Sequence, residues 1–382
     1  MKRRIRMGMV GGGPGAFIGS VHRMAARLDG KIDLVCGAFS SDQSKSQAMA
    51  SELFLPESRC YKNYGEMIEF ESDLPADERM DCVAIVTPNI THYDIAMKAL
   101  EYGFHVICEK PMTFTVEQAR KLAAKVEETG LAFALTHNYT GYPMVKQARA
   151  MIKAGELGEV RKIVAEYPQG WLGDAIEDSS KQAGWRVDPA RAGISCCMGD
   201  IGSHAENLTE YVTGLKITEL CADLTAFVPG RTLDDDGNVL IRLSNGARGV
   251  LYASQISVGE ENGLTLRVYG TRGAIEWRQE CPETLIVKRN DQPRQLLRRN
   301  WAGTGPEVAA ASRIPAGHPE GFIEAFANIY SQFADAVWAK IDGIKDFAPD
   351  FPTVEDGLRG MAFIEHVVRS SKSEQKWIKF EV

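Results

Sequence analysis

The stretch from Thr87 to Pro111 constrains the fold more than any other part of the chain. Val83 to Val86 is a short apolar run of buried-strand character, and Thr87-Pro88-Asn89 interrupts it before Ile95, Ala99 and Leu100 fall at helical spacing. Tyr102-Gly103 closes that helix, Phe104 to Cys108 returns as a second apolar strand, and Glu109-Lys110-Pro111 stands where the strand ends. In an open α/β sheet the carboxyl ends of parallel strands face the ligand crevice. Thr87, Pro88 and Asn89 are therefore expected to meet Glu109, Lys110 and Pro111 at one site, and Lys110 is the first catalytic candidate.

The start of the chain reads in the same grammar. Ile5 to Val10 forms a strand, Gly11-Gly12-Gly13-Pro14-Gly15-Ala16-Phe17-Ile18-Gly19 follows at once, and a helix runs through His22, Ala25, Ala26 and Leu28. Strand, glycine-rich turn and helix in that order suit a dinucleotide: glycines let backbone approach a pyrophosphate, and the helix N-terminus attracts its charge. Gly11-x-Gly13-x-x-Ala16 fits one register of the fingerprint, and Gly19 fits another with about three inserted residues. The next strand, Ile32 to Phe39, puts Ser40 where an acidic residue usually takes the ribose hydroxyls. Asp42 comes slightly late and Lys45 is close by, so the pattern favours NAD while leaving NADP open.

At 382 residues, two domains are expected, and 44% hydrophobic content is enough to pack both. Helical segments around Gln43 to Phe54, Tyr64 to Phe70, His92 to Tyr102 and Thr115 to Thr129 alternate with strands at 83, 104 and 132, which predicts a parallel sheet covered on both faces. Thr115 and Gln118 form a capping-box pattern. This α/β domain is assigned to residues 1–137. Residues 138–382 change character: strands at Val160 to Tyr167, Ile217 to Val228, Asn238 to Ser244, Ala247 to Ser257, Leu264 to Tyr269 and Ala274 to Arg278 are linked by short turns such as Asn245-Gly246. Hairpin links predict an antiparallel sheet, and two helices close the chain. Phe322, Phe326, Ile329, Phe333 and Val337 line one face of the first, and Thr353 to Asp356 caps the second.

A net charge of -7 argues against a nucleic-acid partner, and the one basic stretch, Lys288 to Arg299, reads as a solvated loop or strand face. No apolar run approaches the ~20 residues of a membrane span. Met1-Lys2-Arg3-Arg4 leads straight into a strand rather than a signal-peptide core. The eight cysteines show no Cys-x-x-Cys spacing, and Cys36, Cys82 and Cys108 lie in apolar strands, which fits a reduced, cytoplasmic setting. The pair Cys196-Cys197 is read as structural thiols.

A second chemical stretch runs from Gly199 to Leu208, with Asp200 and His204 four residues apart. On a helix the two share a face, where the carboxylate favours the protonated imidazole: an acid/base pair, or an ordinary polar pair. No third residue stands at a telling spacing for a metal, and none is expected.

Taken together, the glycine turn, Thr87-Pro88-Asn89 with His92, Glu109-Lys110-Pro111, and Asp200 with His204 resemble the Gfo/Idh/MocA family of nicotinamide-dependent oxidoreductases over the length of the chain. The resemblance implies a Rossmann dinucleotide-binding domain followed by an α+β domain on an open, mostly antiparallel sheet that often mediates homo-oligomers, dimers or tetramers. It implies Lys110, Asp200 and His204 as the catalytic set and a cis Lys110-Pro111 bond. Cofactor contacts are expected from Gly11, Gly13, Pro14, Gly15, Ala16, Phe17, Ile18, Ser40, Thr87, Pro88, Asn89, His92, Glu109 and Lys110. Within the family, Trp185-Arg186-Val187-Asp188-Pro189 and Gly317-His318-Pro319-Glu320-Gly321-Phe322 look like the group acting on pyranose sugars, similar to levoglucosan and glucoside dehydrogenases. Trp185 is alternatively a packed aromatic, and His318 with Glu320 alternatively a helix start.

Tyr139, Trp171, Trp185, Arg186, Asp200, His204 and His318, with Lys110, are thus the expected substrate contacts, a mixture of flat aromatics and polar groups suited to a sugar or cyclic polyol. The implied reaction oxidises a secondary hydroxyl to a ketone. Two rivals share the fold: a glycosidase that oxidises its substrate transiently through bound NAD, and a non-catalytic cofactor-sensing regulator.

Overall fold

The computed structural model describes residues 2–344 and 346–382. Two compact units divide the chain, one of Met1–Asn138 with Phe326–Leu358, the other of Tyr139–Ala325 with Arg359–Val382.

The first unit is a doubly wound sheet. Strands β1 (Ile5–Gly11), β2 (Ile32–Ala38), β3 (Cys82–Val86), β4 (His105–Cys108) and β5 (Phe133–Leu135) alternate with helices α1 (Phe17–Leu28), α2 (Gln43–Glu52), α3 (Tyr64–Asp73), α4 (His92–Glu101) and α5 (Val116–Thr129). The strands are all parallel in the order β2-β1-β3-β4-β5. Every residue of β3, β4 and β5 is buried, as expected where helices cover both faces. The strand order reverses at β1, so the crevice at the carboxyl ends opens between β1 and β3. Thr115 and Gln118 close the capping box that starts α5, and Gly130 ends that helix with φ +64°.

The segment Phe326–Leu358, expected in the second domain, groups with the first unit. Its helix, Phe322–Ile341, buries Phe326, Ile329, Phe333 and Val337. The segment after it supplies the Pro352 carbonyl to the Leu135 amide at 2.8 Å, extending the backbone pairing beyond β5. The last helix, Val354–Lys372, opens on Thr353, whose amide donates to Asp356 Oδ2 at 2.7 Å.

The second unit is built on a nine-stranded sheet. Its strands are β6 (Val160–Pro168), β7 (Ile217–Thr225), β8 (Asp236–Leu243), β9 (Arg248–Ser254), β10 (Thr265–Gly270), β11 (Ala274–Arg278), β12 (Thr284–Arg289), β13 (Gln292–Arg298) and β14 (Ile378–Lys379), in the order β13-β12-β11-β10-β6-β9-β8-β7-β14. All neighbours are antiparallel except the central pair β6 and β9. Ile163, Ala165, Val239, Ile241, Leu251 and Val268 point inward against helices α6 (Pro143–Lys153) and α7 (Ser203–Thr213). The basic stretch Lys288 to Arg299 is a strand face: β13 is an edge strand, almost wholly exposed, which is where Pro293 is tolerated.

Candidate active site

The candidate residues fall in both units. In the first, the glycine turn is shaped by close backbone approach. Gly11 (φ +87°) ends β1, and a Cβ there would stand 2.7 Å from the Val86 carbonyl oxygen; one on Gly13 would meet the Phe39 carbonyl at 2.7 Å. The turn is thus held against the ends of β2 and β3. Inside α1, Gly19 lies so near Gly12 that a Cβ would come within 2.4 Å of its Cα. Gly19 therefore plays the helix-packing part of the fingerprint, and the turn before the helix is lengthened. Pro14 and Gly15 form the tip, with Gly15 at φ +75° and open space beyond it. Ala16 precedes the helix without a side-chain cap, and Phe17 and Ile18 make its first turn. Uncapped N–H groups beside backbone stripped of side chains fit an anionic pyrophosphate.

At the end of β2, Ser40 Oγ accepts from the Asp42 amide at 3.2 Å. Asp42 is committed elsewhere: it caps α2, with Oδ1 taking the Ser44 amide at 2.9 Å and the Lys45 amide at 3.3 Å. The residue left at the strand end is thus the small, polar Ser40.

His92 ties the two other turns together. It is fully buried, with Nε2 2.8 Å from the Thr87 carbonyl and Nδ1 2.9 Å from the Pro111 carbonyl. Burial holds this imidazole below its usual range, against the pull of the two carbonyls and of Glu109. Thr91 closes the Thr87-Pro88-Asn89 turn, donating to Thr87 Oγ1 at 2.8 Å. Asn89 is buried there.

The Lys110-Pro111 bond is cis. Glu109 beside it is buried and fully engaged: Oε1 lies 2.8 Å from His22 Nε2 and 2.7 Å from Thr136 Oγ1, and Oε2 accepts the Lys110 amide at 3.0 Å. Burial alone would raise this carboxyl, but the bond and charge of His22, the charge of Lys110 and the Thr136 hydroxyl outweigh it and hold it at about 2. His137, also buried, is held at about 3, first by burial and then by the Lys110 charge. A permanent carboxylate and a neutral imidazole therefore accompany Lys110.

In the second unit, the sequence spacing of Asp200 and His204 is real but its geometry is not the α-helical one expected. Met198–Gly202 is a π-helical turn, and the α-helix begins only at Ser203. Such turns are rare and recur at functional sites. Buried Asp234 holds the entry, accepting from Ser195 Oγ at 3.0 Å and from the Cys196 and Met198 amides at 3.2 and 2.8 Å. Cys196 and Cys197 are buried with their thiols pushed up by burial, as structural thiols should be.

Asp200 Oδ2 accepts from Arg186 Nε at 2.9 Å and from Gln255 Nε2 at 3.0 Å. Arg186, expected as a substrate contact, thus holds the acid. Its guanidinium carbon stands 4.3 Å from the Trp185 ring centre and 5.7 Å from that of Trp171. Both tryptophans belong to one cluster with Asp200, and Trp185 is the packing partner of a cation.

His204 is buried against Tyr139, ring centres 4.8 Å apart and nearly perpendicular, with Tyr167 at 6.2 Å. The Tyr139 and Tyr167 hydroxyls bond each other, Tyr167 donates to Asn262 Oδ1 at 2.6 Å, Gln169 to the same oxygen at 2.9 Å, and Trp171 Nε1 to Gln169 at 3.0 Å. One polar chain therefore leads from the imidazole's neighbour to the half-exposed Trp171. His318 stands exposed on a turn after Pro315, and its carbonyl accepts from Arg299. Glu320 anchors that turn through the Arg313 and Ile314 amides, at 2.7 and 3.0 Å.

The parts that His22, Thr136, His137, Tyr330 and Gln255 play here escaped the sequence reading. Only His22 carried a signal, a histidine inside the buried face of the helix that follows the glycine turn.

Known proteins resemble this chain over its whole length. Residues 5–149 match an oxidoreductase family with an NAD-binding Rossmann fold, and residues 145–276 match the Gfo/Idh/MocA C-terminal domain. The chain is similar to an inositol dehydrogenase homolog from Azotobacter vinelandii, solved with NAD+, at 35% identity and a TM-score of 0.96 over 100% of this chain and 98% of that one. The same protein has been solved with NADH and myo-inositol, at 34% identity and a TM-score of 0.93 over the same shares of the two chains. An oxidoreductase from Sinorhizobium meliloti is 48% identical with a TM-score of 0.90 over 99% of this chain and all of that one. Levoglucosan dehydrogenase of Pseudarthrobacter phenanthrenivorans is 27% identical over 98% of both chains. The chain belongs to the Gfo/Idh/MocA family and is an NAD-binding oxidoreductase.

Proposed function

We propose that this oxidoreductase oxidises a secondary hydroxyl of a cyclic polyol or pyranose sugar to a ketone, using Lys110, Asp200 and His204. The observation that carries the reading is the composition of the His204 cluster: Tyr139, Tyr167, Trp171 and Trp185 offer flat faces, while Asn262, Gln169, Asp200 and Arg186 offer hydrogen bonds. A ring with C–H faces and a rim of hydroxyls suits such a mixture. The likeness to a protein solved with NADH and myo-inositol supports it.

The turn of Gly11 to Ala16 and the α1 N-terminus would hold the pyrophosphate, Ser40 the adenosine ribose, and Thr87 to Asn89 with Glu109 the nicotinamide half. A bound nicotinamide would supply the acceptor for the hydride that leaves the carbon bearing the reacting hydroxyl. His204 accepts the hydroxyl proton as general base. Lys110 donates to the same oxygen and stabilises the negative charge that develops there. Asp200, anchored by Arg186 and Gln255, orients His204.

The test compares specificity constants for myo-inositol, a glucose-type sugar, its 3-deoxy form and a simple secondary alcohol, followed by nicotinamide absorbance with NAD. A site built to pair several hydroxyls turns over the first two and rejects an analogue that leaves a buried partner unsatisfied. Preference for the simple alcohol contradicts the reading.

A further inference from the structure

His22 lies on α1, fully buried, and joins two elements far away in sequence. Its Nε2 is 2.8 Å from Glu109 Oε1 and its Nδ1 is 2.6 Å from the Tyr330 hydroxyl, on the helix Phe322–Ile341. Its ring is fixed in plane as well as at both nitrogens, with Phe326 at 5.1 Å and Tyr330 edge-on at 5.7 Å. Burial pushes the Tyr330 hydroxyl well above its ordinary range, so this group keeps its proton. Facing an ionised Glu109, Nε2 donates to the carboxylate, while Nδ1 meets the Tyr330 hydroxyl.

The relay does not end at Glu109. The carboxylate's other oxygen clamps the backbone amide of Lys110 at 3.0 Å. Thr136 Oγ1 closes the remaining site on Oε1 at 2.7 Å. Packing does not call for such a relay, since apolar side chains at these positions would hold α1 and the late helix to the sheet at lower desolvation cost. What polar groups add is direction: each bond fixes the orientation of the next group, and the last group fixed is the backbone of Lys110.

We propose that His22 and Tyr330 are positioning residues for Lys110, acting through Glu109: Tyr330 orients the His22 ring, His22 orients the carboxylate, and the carboxylate fixes the lysine's main chain at the end of β4. The inference rests on the reading of Lys110 as the residue that stabilises the developing alkoxide. It assigns to two residues outside the expected site a part in the reaction rather than in the core.

The test uses the full chain with [ε-13C]lysine, the Lys110 signal being identified by its loss in Lys110→Arg. Tyr330→Phe, which keeps the ring, and His22→Gln and His22→Leu are each made alone and in a Lys110→Ala background. Turnover of myo-inositol with NAD and the NAD dissociation constant are measured for all. Tyr330→Phe is expected to displace the Lys110 signal and lower kcat about 10- to 100-fold. KM and the NAD constant should stay within about twofold. His22→Gln, which keeps a side-chain N–H, should retain more of kcat than His22→Leu. In the Lys110→Ala background the same substitutions should cost nothing further, because residues that act through one another are not additive.

A Lys110 signal unmoved by Tyr330→Phe and His22→Leu overturns the proposal, as does a full additive loss in the Lys110→Ala background. If the wild-type chain oxidises no polyol, the reading of its substrate fails, and the Lys110 signal alone decides the positioning claim. Should Tyr330→Phe not fold, Thr136→Val interrupts the same carboxylate at Oε1 and is judged by the same signal.

Discussion

Arg186 Nε stands 2.9 Å from Asp200 Oδ2, so the arginine that the sequence offered as a substrate contact is anchored to the acid. Its Nη1 is held too, donating to Gln182 Oε1 at 2.7 Å, and the guanidinium is flanked by Trp185 and Trp171. A planar cation between aromatic faces, donating to two acceptors from different nitrogens, is a geometry lysine does not reproduce.

Arg186→Lys should therefore fail to rescue Arg186→Ala. Both are expected to lower kcat about 10- to 100-fold through misplacement of Asp200, with a smaller rise in KM. Steady-state kinetics check this, and a rise in KM with unchanged kcat would return Arg186 to direct substrate binding.

The glycine turn divides into positions of different sensitivity. Gly19→Ala places a methyl 2.4 Å from Gly12 Cα, backbone against backbone, and should cost about 1–3 kcal/mol and weaken NAD binding together. Gly15→Ala meets open space and carries only the strain of φ +75°, about 1 kcal/mol. Urea unfolding with NAD titration separates the two.

At the ribose end, Asp42 is occupied as the α2 cap and Ser40 stands free of a carboxylate. Ser40→Asp should weaken NADP binding by about tenfold through repulsion of the 2′-phosphate, while NAD binding is kept. Parallel titration of the two cofactors measures this; equal affinities for wild type and variant would place the ribose elsewhere.

Most of the first unit was legible because its strands are short apolar runs punctuated by glycine and proline, and because the chemistry sits at strand ends. Lys110 and Glu109 stood out for that reason. Tyr330 did not: its partner His22 lies 308 residues away, and no local pattern reports a bond across that distance. The fate of residues 326–358 was hidden likewise, since an amphipathic helix declares that it buries a face but not against which sheet. The π-helical turn at 198–202 escaped because four-residue spacing reads as an α-helical face unless the turn around it is seen.

Acid should destabilise the chain in a definite window. His105 Nδ1 accepts the Ala132 amide at 2.9 Å, and burial holds this imidazole at about 4; His137 is held at about 3. Folded values below the ordinary 6.5 mean that the unfolded chain takes up these protons first, so stability is lost as pH falls from about 6.5 towards 4. For His105 alone the loss is on the order of 3 kcal/mol. Glu109, displaced from 4.5 to about 2, adds a further loss below pH 4.5, since its contribution is present only while the unfolded carboxyl is ionised. His105→Asn, which keeps an acceptor without titrating, should flatten the upper part of the curve measured by urea unfolding.

The central claim is that Lys110 and His204 act on the reacting oxygen of a cyclic polyol. Single-turnover reduction of bound NAD by myo-inositol, measured for the wild type, Lys110→Ala and His204→Ala at saturating cofactor, tests it most directly. The account predicts rapid reduction in the wild type and a rate about 10²- to 10⁴-fold lower in each variant, with NAD still bound. Near-wild-type reduction in either variant would contradict it.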